Sequence, residues 1–147
     1  MKKVLAALLA ISPLLFALSA RADSAANLQD ARKLADGVMG SVGAGNYDAA
    51  LKQLKPFVAL PPSEFDVVAA QVASQLPSLL QRFGSAAGWE FIRQEQVGES
   101  LFRLTYIAKN EKIPLRWYFL FYRSGAGWQV IDFRFDPNVL ALFPPGG

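Results

Sequence analysis

The spacing of apolar residues changes near Gly88, and this change restricts the fold more than any other feature of the chain. Before Gly88, apolar residues recur at three- and four-residue steps, which is typical of amphipathic helices. After Gly88, they alternate or run together in short segments separated by turn residues, which is typical of strands. Because helices and strands occupy separate halves of the chain, we expect an α+β domain.

Three helices are predicted in the first half. The first follows a capping residue, Ser24, and ends at the turn of residues 43–46. The second covers residues 47–55, after which a proline prevents its continuation. The third follows a second capping residue, Ser63, and ends at Gly84.

Four strands are predicted in the second half, over residues 89–97, 101–109, 113–123 and 128–136. The connections between them are short enough for hairpins, so the strands should form an antiparallel meander. We therefore predict three N-terminal helices packed on a curved four-stranded antiparallel sheet.

Strict alternation along these strands assigns their side chains to two faces. The first face is predicted to hold most aromatic residues together with four charged ones: Arg93, Glu95, Asp132 and Arg134. The second face is predicted to hold Tyr118, Leu120, Tyr122, Ile131, Phe133 and Phe135. A one-residue irregularity in any strand would exchange the faces from that point on.

The first 22 residues have the three parts of a secretory signal. Lys2 and Lys3 precede an apolar segment over residues 4–18, and small residues at Ala20 and Ala22 favour cleavage after Ala22. The alternative is an uncleaved membrane anchor, although the apolar segment is short for a bilayer and no second one follows. The prediction is a periplasmic or secreted protein with one domain over residues 23–137 and a C-terminal tail over residues 138–147.

The composition excludes several chemistries. The chain has no cysteine and no histidine, which excludes disulfides, cysteine nucleophiles, Ser-His-Asp triads and sites built on either residue as a metal ligand. There is no acidic calcium loop, so we predict neither a metal nor a cofactor. Of 15 basic and 12 acidic residues, three basic ones lie in the signal segment. The remaining chain is nearly neutral, which argues against nucleic-acid binding.

Two short motifs are typical of one superfamily. They are Gly45-Asn46-Tyr47-Asp48-Ala49-Ala50 at the start of the second helix and Gly127-Trp128-Gln129-Val130 at the start of the last strand. With the predicted layout, they make the chain resemble the NTF2-like, or cystatin-like, α+β superfamily. The resemblance implies a cone-shaped cavity between helices and sheet, and a homodimer formed through the open sheet face. It implies no single function, because this fold supports enzymes and non-catalytic accessory domains alike.

One hypothesis for the cavity is acid–base catalysis of an isomerase or dehydratase type. Asp132 would serve as the base, while Tyr106 and Arg134 would stabilise the developing negative charge. The alternative is that Asp132 is a surface carboxylate paired with Arg134 or Arg93.

A second hypothesis is a binding pocket for a small apolar or amphipathic ligand. Aromatic walls and cationic groups for an anionic head group would come from Trp89, Phe91, Arg93, Tyr106, Trp117, Trp128 and Arg134. The alternative is that the aromatic residues simply form the core beneath the helices.

A third hypothesis concerns association. Three helices can cover one face of the sheet, and the other face would then expose apolar residues to a second copy or another protein: Tyr118, Leu120, Tyr122, Ile131 and Phe133. The alternative is that residues 139–143 of the tail fold back over this face. Taken together, the sequence favours a non-enzymatic accessory or binding domain, with a cavity enzyme as the alternative.

The signal-sequence prediction is tested by the mass of the exported protein. Cleavage after Ala22 should leave Asp23 at the N-terminus of protein purified from the periplasm. Intact-mass spectrometry measures this directly. Recovery of the uncleaved chain in the membrane fraction would support the anchor instead.

Overall fold

Helices and strands are segregated along the chain, as the spacing of apolar residues predicts. A computed structural model describes residues 22–125 and 127–146; the predicted signal sequence up to Arg21 lies outside them. The helices are α1 (Leu28–Gly43), α2 (Tyr47–Leu54) and α3 (Pro62–Phe83), with short 3-10 helices at Lys55–Phe57 and Val139–Leu142. The strands are β1 (Ala86–Val97), β2 (Leu101–Asn110), β3 (Leu115–Ser124) and β4 (Gly127–Asp136). They form one open antiparallel sheet in the order β1-β2-β3-β4, which confirms the α+β meander.

The predicted starting points of two helices are wrong. α1 is capped by Asn27, whose side chain accepts a hydrogen bond of 2.9 Å from the backbone N–H of Asp30. Ser24 cannot cap it, because the neighbouring Ala25 forms a bridge with Trp128 of β4. α3 begins one residue before Ser63, with Pro62 in the first turn, where its missing N–H needs no partner.

Two β-bulges interrupt the strict alternation within the predicted strand ranges, and a further register shift between Ala86 and Trp89 precedes the predicted start of β1. In β1, Phe91 pairs with Tyr106 and Arg93 pairs with Thr105, so Ile92 is an extra residue. In β4, Val130 pairs with Phe121 and Asp132 pairs with Leu120, so Ile131 is an extra residue in the same way. Each bulge reverses which face the following side chains occupy.

The predicted face assignments beyond each bulge are therefore wrong. Four charged residues move to the face opposite the helices, here called the open face: Arg93, Glu95, Asp132 and Arg134. Two aromatic residues, Phe133 and Phe135, move to the helix-covered face, where they pair with Phe119 and Trp117.

The core lies between the helix-covered face and the helices α1 and α2. Phe119 at the centre of β3 is fully buried, and the ring of Phe102 stacks on that of Phe121 at 4.9 Å between centroids. The buried residues of α1 belong to the same core, namely Ala31, Ala35, Val38, Met39 and Val42. Because the chain has no cysteine, this packing must stabilise the fold without disulfides.

The C-terminal tail returns across the open face, as one of the two alternatives predicted. Arg93 donates a hydrogen bond of 2.9 Å to the carbonyl oxygen of Leu142, and the 3-10 helix Val139–Leu142 packs against β3. Thr105, in the middle of the open face, is only 3% exposed. The tail therefore covers part of the face that was expected to bind a partner.

Two glycines of α1 should respond oppositely to alanine. A Cβ at Gly43 would lie 2.8 Å from the backbone carbon of Gly88 and from Cδ1 of Trp89, whereas a Cβ at Gly40 meets only Nε1 of Trp89 at 4.0 Å. Gly43→Ala should therefore lower the free energy of unfolding by about 1–3 kcal/mol. Gly40→Ala should raise it by about 0.5–1 kcal/mol, because alanine favours the helix. Urea denaturation measures both, and similar effects at the two sites would contradict the close approach at Gly43.

Candidate binding cleft

The predicted acid–base residues do not come together. Tyr106 points toward α1, where its hydroxyl donates a hydrogen bond of 2.8 Å to Oδ1 of Asp36. Asp132 and Arg134 lie on the open face and form an ion pair with each other at 3.1 Å. The sheet therefore separates Tyr106 from the other two, and the bulge at Ile131 is the reason.

Tyr106 belongs instead to a polar cluster at the interface between α1 and the sheet. Arg32 donates a hydrogen bond of 2.7 Å to Asp36, one helical turn later, and its guanidinium lies 3.4 Å from the ring centroid of Phe91. Burial and the hydrogen bond to Asp36 raise the pKa of Tyr106 above its ordinary value. The phenol therefore stays neutral and acts as a hydrogen-bond donor that joins helix to sheet.

The predicted ligand pocket is also divided by the sheet. Trp89, Phe91, Tyr106, Trp117 and Trp128 lie on the helix-covered side, while Arg93 and Arg134 lie on the open face. Tyr106 is 0% exposed and Trp117 is 2% exposed, with the ring of Trp117 stacked on that of Phe135 at 4.6 Å. These rings form core packing, and the charged residues cannot serve the same ligand.

The predicted association surface keeps only part of its apolar residues. The side chain of Phe133 points from β4 toward the helices, and its ring centroid is 6.1 Å from that of Phe65 in α3. Its assignment to the open face is therefore wrong. Tyr118, Leu120 and Tyr122 lie on the open face, and Tyr122 is 42% exposed. The exposed Ile131 occupies the bulge itself. A homodimer through this face stays a prediction.

A cleft of about 550 Å³ lies between α3 and β4, and none of the predicted sites corresponds to it. Three segments line the cleft: α3, the loop that precedes it, and β4. The lining residues are Val68, Gln71, Val72 and Gln75 of α3, Val58 and Leu60 of the loop, and residues 131–136 of β4. The rings of Phe133 and Phe135, which the bulge at Ile131 turns toward the helices, contribute apolar surface to the cleft. Side-chain amides and ion-paired charges contribute its polar groups.

The outer edge of β4 is paired at its start and open along the cleft. Ala25 pairs with Trp128, and the backbone N–H of Ala59 donates to the carbonyl of Val130 at 2.9 Å. The chain then turns away into α3 at Pro62. Among the described residues, no other segment pairs with the outer edge over residues 132–136. Alternate backbone N–H and C=O groups of this stretch are thus free to bind another strand.

The helix α3, which borders the cleft, is mostly exposed to solvent and has no charged residue over the four turns of residues 67–81. Only Phe65, Val72 and Phe83 of its 22 residues are buried. No ionisable residue occurs between Asp66 and Arg82. Exposed surface without charge is typical of the centre of an interface. The absence of charge over residues 67–81 is the one sequence signal that could have pointed to this site.

The described residues form neither a metal-binding cluster nor a membrane-spanning helix. Over residues 22–125 and 127–146, no group of three or more acidic residues is close enough to hold a metal ion. Within the same ranges, no helix is both long and apolar enough to cross a membrane.

Comparison with protein-family models, with curated proteins and with solved structures finds no match to the chain. The resemblance to the NTF2-like superfamily therefore stays a prediction from two motifs and the layout. What the structure defines is the class: an α+β domain of three helices followed by an open four-stranded antiparallel sheet.

The cluster around Tyr106 predicts a measurable pH dependence. The folded protein holds the Tyr106 proton to higher pH than the unfolded chain does, so stability should fall as the pH rises above about 10. In this pH range, each tyrosine whose pKa is raised by folding lowers the free energy of unfolding by about 1.4 kcal/mol per pH unit. Tyr106→Phe should cost about 1–3 kcal/mol at neutral pH through loss of the hydrogen bond. It should also make the alkaline decline shallower.

Urea unfolding of wild type and Tyr106→Phe between neutral pH and pH about 11 measures this difference. Tyr47, whose pKa is also raised by burial, keeps its contribution in both proteins and serves as the internal reference. Parallel curves for the two proteins would show that the Tyr106 phenol titrates normally in the folded state.

Proposed function

We propose that this chain is an exported accessory domain that acts by binding, and that the cleft between α3 and β4 is its binding site. One observation carries the proposal: a partly apolar cleft lies beside an unpaired strand edge and a helix that has no charge over residues 67–81. Export rests on the signal sequence predicted over residues 1–22.

The size and lining of the cleft suit an amphipathic ligand. Its volume falls within the range of about 300–1,000 Å³ that is usual for ligand sites. Phe133, Phe135 and Val72 offer apolar surface, while Gln71 and Gln75 offer amide groups that can donate and accept hydrogen bonds. This is the combination by which binding sites orient a ligand that is partly apolar.

The charged groups at the border of the cleft favour binding over catalysis. Asp132 is paired with Arg134 at 3.1 Å, and Asp136 is paired with Arg116 at 2.6 Å. Both carboxylates therefore already have a guanidinium partner within ion-pair distance. The cavity enzyme proposed as the alternative would need a base that is free of such a partner.

Partly filling the cleft should weaken ligand binding without unfolding the domain. Gln75 is an exposed residue of α3 that lines the cleft, so a tryptophan there would occupy the binding space. We expect Gln75→Trp to weaken the binding of anilinonaphthalene sulfonate, an amphipathic fluorophore, by about tenfold or about 1.4 kcal/mol. A fluorescence titration of the mature protein measures the dissociation constant.

Gln81→Trp is the matched control, since Gln81 is an exposed residue of the same helix and does not line the cleft. It should bind the fluorophore as the wild type does, and both variants should keep the wild-type circular dichroism. Equal binding by all three proteins would place the ligand elsewhere and remove the support for this site.

A further inference from the structure

We propose that the cleft binds an extended peptide segment of a partner protein, which adds to β4 as a fifth strand. This inference rests on the proposed function and names its ligand. Peptides bind in this way where an exposed sheet edge is available, with main-chain hydrogen bonds giving affinity and side-chain pockets giving specificity.

The chain already pairs with this edge through its own backbone. Val58 forms a parallel bridge with Val130, and the backbone N–H of Ala59 donates to the Val130 carbonyl. This internal pairing stops where the chain turns into α3 at Pro62. The unpaired stretch of β4 continues directly from that point, so a bound peptide would extend pairing that the fold has begun.

The open edge is long enough for a short strand. Residues 132–136 at about 3.3 Å per residue give about 16 Å of unpaired backbone. A peptide of five or six residues would cover this length. The bulge at Ile131 limits regular pairing at one end, and Pro137 limits it at the other.

The surroundings of the edge define the side chains that such a peptide needs. Positions opposite Phe133 and Phe135 would point into the cleft toward Val72, where the neighbouring part of α3 has no charge. Positions between them would point to the open face beside Asp132 and Arg134. The matching peptide has uncharged, mostly apolar residues at alternate positions and polar residues between them.

A peptide fits this site better than a second copy of the chain. Two β4 edges related by a two-fold axis would place both helix layers on the same side of the joined sheet. Each copy would then bring its own α3 to the border of the same edge, where α3 already flanks the cleft. A single strand needs no such space.

The test uses a phage-displayed library of random octapeptides selected on the immobilised mature protein. Selection on wild type, with Gln75→Trp as counter-selection, should enrich peptides with alternating apolar and polar residues and no central proline. Synthetic copies of these peptides should bind wild type and Gln81→Trp equally. They should bind Gln75→Trp about tenfold more weakly, as measured by fluorescence anisotropy.

Backbone N-methylation of the peptide separates strand addition from other binding modes. A methyl group on every second amide removes a donor that faces β4 and should weaken binding about tenfold, whereas methyl groups on the intervening amides should have little effect. Amide exchange over residues 132–136 should also slow in the complex. Equal loss at all positions, without slowed exchange, would overturn strand addition.

The remaining outcomes distinguish the two proposals. If Gln75→Trp loses the fluorophore but no peptide is enriched on wild type, the cleft binds ligands and the peptide inference is wrong. If the wild type binds neither, both proposals fail. If sedimentation shows a wild-type dimer that Gln75→Trp abolishes, a second copy occupies the edge and the peptide inference is overturned.

Discussion

Burial of the aromatic face of β2 and β3 beneath α1 is the interaction on which the rest of this structure depends. Phe119 is completely buried, and the ring of Tyr106 packs edge-on against it with 5.9 Å between centroids. No disulfide can compensate for a loss of this packing, because the chain has no cysteine. The aromatic residues for which the sequence predicts a ligand pocket therefore form the core, and the proposed binding site lies on another part of the surface.

A single extra residue in β4 decides where that surface lies. Without the bulge at Ile131, Phe133 and Phe135 would point to the open face, and Asp132 and Arg134 would point to the helix layer. With it, the rings of Phe133 and Phe135 face α3 and form apolar surface in the cleft, while Asp132 and Arg134 lie on the open-face side of its border. The bulge at Ile131 thus separates Asp132 and Arg134 from Tyr106, and it also places the aromatic rings that line the candidate binding site.

Much of the architecture could be predicted from sequence, because helix periodicity, strand alternation and short turns are local signals. The three helices and the antiparallel meander follow from them. The bulges at Ile92 and Ile131 could not be predicted, since no turn residue marks them and each depends on how two strands pair. The contact between Asp36 and Tyr106 joins residues 70 positions apart, beyond the reach of any periodic pattern. The cleft depends on the distance between α3 and β4, which sequence spacing does not encode.

The composition of α3 gives a physical reason for proposing a partner at this site. A helix on the surface of a monomer normally carries charges on its outer side, because water solvates them well and they oppose aggregation. Residues 67–81 carry none, and Val67 is 63% exposed. The unpaired backbone of β4 lies beside the same helix and poses a similar risk of unwanted pairing. The uncharged surface of α3 and the unpaired edge of β4 border the same cleft. A ligand that covers both explains their proximity more simply than two unrelated features would.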